Sequence, residues 1–231
     1  MKTIGLLGGM SWESSATYYR AINEGIKESL GGLHSAKVVL YSVDFEPIEQ
    51  LQHLGDCDSA AKILSEAAQN IQTAGADFLV ICTNTMHKLA NQIEQTINIP
   101  LLHIADATAK ILIQKDIKNV ALLGTAFTME EDFYRGRLSE KYGLKVHTPN
   151  DTDRKIIHNI IYTELCLGII NPESKAEYLR IIESLNSQGA EAVILGCTEI
   201  GMLVSQQDTE VPLLDTTAIH AQMAVEYALE N

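Results

Sequence analysis

Short aliphatic, β-branched runs alternate along the chain with longer stretches in which apolar residues recur every three or four positions. The runs place strands at 3–8, 37–43, 77–82, 100–104, 119–123, 144–147, 191–196 and 212–215. The amphipathic stretches place helices near 14–30, 58–74, 86–96, 106–114, 129–142, 152–167, 173–187 and 217–229. Strands of near-continuous hydrophobicity separated by helices make βαβ units, and so an α/β fold with parallel sheet. Gly31-Gly32, Gly75, Gly143 and Gly189 fall where helices should stop. Asp58-Ser59-Ala60-Ala61 and Asn171-Pro172-Glu173 are helix starts, with a side-chain cap or a proline in the first turn.

The pattern repeats itself. Gly5-Leu6-Leu7-Gly8 corresponds to Ala121-Leu122-Leu123-Gly124 and Tyr18-Tyr19-Arg20 to Phe133-Tyr134-Arg135. Pro100-Leu101-Leu102-His103 corresponds to Pro212-Leu213-Leu214-Asp215. A strand opening on Gly75-Ala76 leads to Thr83, and one opening on Gly189-Ala190 leads, over the same count, to Cys197. Four landmarks in order predict two pseudo-symmetric lobes, residues 1–103 with 216–231 and residues 104–215. A hydroxyl and a thiol then occupy equivalent strand ends.

In parallel α/β sheets ligands sit beyond the carboxyl ends of the strands, where loops and helix N-termini offer backbone donors. Those loops are 8–11, 44–46, 83–85, 124–126 and 197–199; they are rich in Gly, Ser, Thr and Asn and contain no Lys or Arg. Such a composition suits a carboxylate held by neutral hydrogen bonds. Gly5, Gly8 and Gly9 lack the GxGxxG spacing, and no ribose-binding acid follows, so no dinucleotide site is expected.

Composition narrows the classes further. In 231 residues, 46% hydrophobic and 20% charged side chains describe a folded globular protein. A formal net charge of -13, with no Lys/Arg-rich run, argues against a nucleic-acid partner. No segment approaches the roughly 20 apolar residues of a membrane span, and the N-terminus is a strand rather than a signal peptide, so a cytoplasmic location is expected. Cys57, Cys82, Cys166 and Cys197 form no CxxC pair, so neither a zinc site nor a thioredoxin-like motif is expected.

Among these cysteines Cys197 stands at a strand end, where a helix N-terminus would stabilise its thiolate as base or nucleophile. Cys82, one residue before Thr83, points to the opposite face of its strand and packs. Cys57 and Cys166 are expected to be structural. Asn84, Thr85 and Thr198 suit helix N-caps and equally suit donors to a substrate carboxylate. Arg20 and Arg135 lie about 12 Å along their helices, too far for substrate contact. His87 could cap, pack or tune a neighbour.

The motifs TNTMH, from Thr83 to His87, and GCTE, from Gly196 to Glu199, resemble the paired CNTxH and GCTE signatures of the cofactor-independent aspartate/glutamate racemase family. GLLGGMSWES resembles the family's opening loop, and the resemblance spans essentially the whole chain. It implies two Rossmann-like lobes with the site between them, a homodimer and no cofactor or metal. In the family one cysteine thiolate removes the α-proton of an amino acid and the opposite cysteine reprotonates the other face. Cys197 matches the second of these positions; the first is Thr83. Asn84, Thr85 and Thr198 match carboxylate-binding positions and Met10 lies on the substrate loop. Thr125 and Glu199, on neighbouring strand-end loops, join the expected substrate contacts. The Arg and Lys by which aspartate-specific members hold the side-chain carboxylate have no counterpart here, and Gln52 is the neutral replacement.

The resemblance therefore implies a pyridoxal-phosphate-independent racemase of L-aspartate or L-glutamate, with Cys197 as base and reprotonation from the Thr83 side. The rival readings are a broad racemase of neutral amino acids such as homoserine, a one-cysteine decarboxylase or isomerase, and a non-enzymatic amino-acid binder.

Overall fold

The structure is a computed structural model and describes residues 1–230. The chain forms two compact units, residues 1–104 with 220–230 and residues 105–219.

Unit 1 is a four-stranded parallel sheet in the order β2-β1-β3-β4. Its elements run β1 (Ile4–Gly8), α1 (Trp12–Leu30), β2 (Val38–Ser42), α2 (Phe45–Leu54), α3 (Cys57–Thr73) and β3 (Phe78–Ile81). A 3₁₀ turn (Thr85–Leu89), α4 (Ala90–Glu94) and β4 (Leu101–Leu102) follow. Helix α5 (Ile104–Gln114) opens unit 2, whose sheet has the order β6-β5-β7-β8. Its strands are β5 (Asn119–Gly124), β6 (Lys145–His147), β7 (Ala192–Gly196) and β8 (Leu213–Asp215). Its helices are α6 (Ala126–Glu130), α7 (Asp132–Gly136), α8 (Asp151–Thr163), α9 (Pro172–Ser187) and α10 (Ile200–Leu203). Finally α11 (Thr216–Leu229) returns the chain to unit 1.

All eight expected strands form. Alternation distributes their side chains between the two faces of each sheet. In unit 1, Ile4, Leu6, Phe78, Val80 and Cys82 pack with Tyr18, Ile22 and Ile26 of α1 and with Ala221, Ala224 and Val225 of α11. Leu7, Leu79 and Ile81 face the other way, onto Ile48 of α2, Leu64, Ala68 and Ile71 of α3, and Ile93 of α4. In unit 2, Ala121, Leu123, Val193 and Leu195 pack with Ile157 and Ile161 of α8 and Tyr178, Ile181 and Leu185 of α9. Fully burying such an aliphatic side chain is worth about 1.5–3 kcal/mol, so these faces hold the strand ends in place.

Three expectations need correction. The segment 44–46 is no loop: Asp44 caps α2 by accepting from Glu46 N, Pro47 fits its first turn, and Gly55, with φ 72°, closes it. The stretch 129–142 is not one helix but α6, α7 and a π-helical turn over Arg137–Lys141. The start of α3 is capped by Asp56, which accepts from Ser59 N at 3.1 Å, rather than by Asp58. Asn171 with Pro172 begins α9 as expected.

The repeat also places two buried tyrosines. Tyr18 of unit 1 lies ten residues beyond Gly8, and Tyr134 of unit 2 ten beyond Gly124. The Tyr18 hydroxyl bonds Nδ1 of His220 at 2.8 Å, and that of Tyr134 bonds Thr108 Oγ1 at 2.8 Å. Burial thus matches Tyr18 with Tyr134, one residue off the aligned pair Tyr18 and Phe133.

Candidate functional site

In unit 1 the candidate residues begin in the loop after β1. Gly9 has φ 99°, and a Cβ there would sit 2.2 Å from the Val43 carbonyl oxygen, so only glycine fits. Gly9 N donates to Ser15 Oγ at 2.8 Å, Ser15 Oγ donates to the Ser11 carbonyl at 2.9 Å, and Ser11 caps α1 by accepting from Ser14 N. Ser14 Oγ in turn donates to the Cys82 carbonyl at 2.7 Å. The serines of the WESS segment therefore tie the opening loop to the end of β3; their value as positioning groups is not visible without the fold.

Past β3 the chain turns at Thr83. Cys82 is buried on the α1 side, and burial pushes its thiol well above the ordinary range. Thr83 and Thr85 keep partial exposure, and Asn84 is buried. The cap expected of Asn84 is absent: its backbone is α-helical and its side chain makes no capping bond to the 3₁₀ turn. Met10 is buried against Leu7, Ile81 and Met86. Gln52 is buried on α2, about 10 Å along the axis from that helix's start.

Below this loop lie buried histidines. His87 Nδ1 contacts the Thr83 carbonyl oxygen at 2.8 Å, and Ile104 N donates to His87 Nε2 at 3.2 Å. The ring of His87 meets those of His103 and His220 edge-on at 4.7 and 5.5 Å between centroids. Burial and the two neighbouring imidazoles drive the His87 pKa well below its usual value, so the ring is neutral.

In unit 2 the candidate residues follow a pair of glycines. Gly124 and Gly196 are partners on adjacent strands β5 and β7, so Thr125 and Cys197 leave strands roughly 5 Å apart. A Cβ on Gly196 would come 2.9 Å from the Leu123 carbonyl oxygen, which explains the glycine before the cysteine. Thr125 is buried and caps α6, accepting from Thr128 N.

At the end of β7 the Cys197 thiol donates to Glu199 Oε2 at 2.8 Å, and the Thr198 hydroxyl donates to the same oxygen at 2.9 Å. Burial is the first cause raising the Cys197 pKa well above normal, with the Glu199 carboxylate next. This reverses the expected thiolate. Helix α10 has four residues and begins at Ile200, too short a dipole to offset an adjacent anion. The resting group is a thiol beside a carboxylate, and Thr198 spends its hydroxyl on Glu199 rather than on a cap. Cys166, expected to be structural, is exposed. Among the described residues no group of three or more His, Cys, Asp or Glu is arranged to hold a metal ion, and no helix is long and apolar enough to cross a membrane.

Known proteins bear on this arrangement. The family model for Asp/Glu/Hydantoin racemase matches residues 7–224. The broad specificity amino-acid racemase RacX of Bacillus subtilis (strain 168) is 24% identical over 231 residues, covering 96% of both chains. The crystal structure of a candidate Asp/Glu racemase from Yersinia pestis covers 100% of both chains, with 58% identity and a TM-score of 0.96. That of an aspartate racemase homologue from Pyrococcus horikoshii OT3 also covers 100% of both, with 34% identity and a TM-score of 0.88. With a family match over nearly its full length and a fold shared from end to end, the chain belongs to the Asp/Glu/hydantoin racemase family, as an amino-acid racemase.

Proposed function

We propose that the protein racemises L-aspartate or L-glutamate without cofactor or metal, Cys197 and Thr83 serving opposite faces of one α-carbon. The observation that carries this reading is the Cys197 Sγ–Glu199 Oε2 hydrogen bond of 2.8 Å. It gives the thiol a neighbouring acceptor, so the thiolate is made by moving its proton to Glu199 and not by lowering its resting pKa. The thiolate then takes the α-proton of the L-amino acid and becomes a thiol again. The electron pair delocalises into the substrate carboxylate, for which Asn84, Thr85 and Thr198 are the proposed donors. A proton from Thr83, or from a water bound to it, returns to the other face; solvent restores that proton and takes up the one left on Glu199, so that the thiol–carboxylate pair is regained.

Met10, Gln52 and Thr125 complete the proposed substrate contacts. A homodimer in the cytoplasm completes the reading, and sedimentation checks the oligomer. Enantiomers have equal free energies, so kcat/KM must be equal in both directions at equilibrium. One-sidedness can appear only as α-hydrogen exchange without inversion.

A second substrate class is favoured by one observation: the strand-end loops contain no Lys or Arg for a side-chain carboxylate. A neutral amino acid such as homoserine then competes with the dicarboxylates, in keeping with the broad specificity named for the Bacillus subtilis relative. Chiral chromatography of dialysed, chelator-treated enzyme with L-aspartate, L-glutamate and L-homoserine separates the readings. D-aspartate or D-glutamate as main product supports the first and D-homoserine the second. No D-product from any of the three contradicts both.

A further inference from the structure

We infer that His87 is the positioning residue for the proton-returning face, holding Thr83 through its backbone; the inference rests on the racemase reading above. The tautomer follows from its contacts. Ile104 N–H points at Nε2, so Nε2 is the bare nitrogen and Nδ1 carries the proton that it donates to the Thr83 carbonyl. The ring is buried between His103 and His220 and so has little room to turn.

Two successive peptide carbonyls at the end of β3 are thereby gripped from different elements. Ser14 of α1 holds that of Cys82 and His87 holds that of Thr83. With both peptide planes set, the direction of the Thr83 side chain follows from its staggered rotamers.

The repeat shows that this device is one-sided. The offset that relates Thr83 to Cys197 relates His87 to Gly201, which has no side chain. In unit 2 the reactive group is held directly, thiol to Glu199. In unit 1 a hydroxyl with only partial exposure is held indirectly, through the carbonyl of its own residue. A simple helix-start role for His87 predicts equal damage to every step, whereas a positioning role for Thr83 predicts damage to one.

The test compares wild type with His87→Asn, His87→Gln and His87→Leu. The Asn amide nitrogen overlays Nδ1 and keeps the donor to Thr83; the Gln amide nitrogen reaches Nε2 and does not. Two rates are read on an L-substrate in heavy water: exchange of the α-hydrogen, and appearance of the D-enantiomer. His87→Leu and His87→Gln should keep exchange within about threefold of wild type and lose inversion by about 10- to 100-fold, the scale of an ångström misplacement. His87→Asn should recover most of the inversion rate with KM unchanged. Equal loss of exchange and inversion in the folded variants, or no loss in either, overturns the inference. If His87→Leu does not fold, the contrast between Asn and Gln decides it. Wild type that neither exchanges nor inverts any amino acid overturns the racemase reading itself.

Discussion

Mild acid should weaken unit 1 through its buried histidines, and His220 allows the size to be worked out. The ring donates Nε2–H to the Leu102 carbonyl and accepts at Nδ1 from Tyr18, both at 2.8 Å. Burial lowers its pKa from 6.5 to about 4, against a smaller upward pull from the bond to Leu102. The folded ring thus stays neutral while the unfolded chain takes up a proton. Stability is complete above the unfolded value, falls as pH drops through 6.5, and has lost its full share below about 4. The gap corresponds to about 3 kcal/mol in all, of which about 2 kcal/mol is gone by pH 5. His87 acts in the same direction.

Two other effects share the range and have to be separated. Neutralisation of the -13 net charge on approach to the pI of 4.9 relieves self-repulsion and works the other way. Asp56, Asp208 and Glu191, whose carboxyl pKa values are lowered by hydrogen bonds, withdraw their support only below their ordinary values near 4. Comparison with His220→Gln removes both effects, because they are common to the two proteins. Urea unfolding at pH 7.5 and pH 5 should show wild type losing about 2 kcal/mol more than the variant over that interval. Parallel pH dependence in the two proteins would refute the argument that His220 is held neutral.

Other outcomes follow from single contacts. Tyr134→Phe removes the bond to Thr108 and should lower unfolding stability by about 1–3 kcal/mol, since the buried Thr108 hydroxyl then lacks that bond. Gly9→Ala forces a Cβ against Val43 at a positive φ and should cost about 1–3 kcal/mol in urea unfolding, with a larger KM because the opening loop moves. Cys82→Ala should cost about 1 kcal/mol of stability and leave kcat within a fewfold, as expected of a core thiol. Glu199→Gln removes the acceptor of the Cys197 proton and should lower exchange by about 10²–10⁴-fold, read by deuterium uptake into substrate.

The inner strands β1, β3, β5 and β7 were legible because each is a short apolar run buried on both faces, and the glycines that end α1, α3 and α9 marked the boundaries between elements. Helix α2 was missed because Pro47 and Glu46 look like loop residues unless Asp44 is taken as the cap. At the candidate site, the position of Thr83 and Cys197 just past β3 and β7 was legible, because the repeat aligns them by count alone. The electrostatics there were not: the thiol pKa is raised first by burial and next by Glu199 folding back two residues onto Sγ, and spacing contains neither. The roles of Ser14 and His87 were hidden for a similar reason, because each acts on a backbone carbonyl of another segment.

The central claim is that Cys197 is the base for the L-enantiomer and that Thr83 serves the other face. Proton NMR of L-aspartate, L-glutamate and L-homoserine in heavy water, with wild type, Cys197→Ala and Thr83→Cys, measures it most directly. Wild type should wash out the α-hydrogen of one L-substrate faster than the D-enantiomer accumulates. Cys197→Ala should lose about 10²–10⁴-fold of that exchange, and Thr83→Cys should raise exchange of the D-enantiomer toward that of the L. Exchange that survives in Cys197→Ala, or that is abolished by Cys82→Ala instead, would contradict the account.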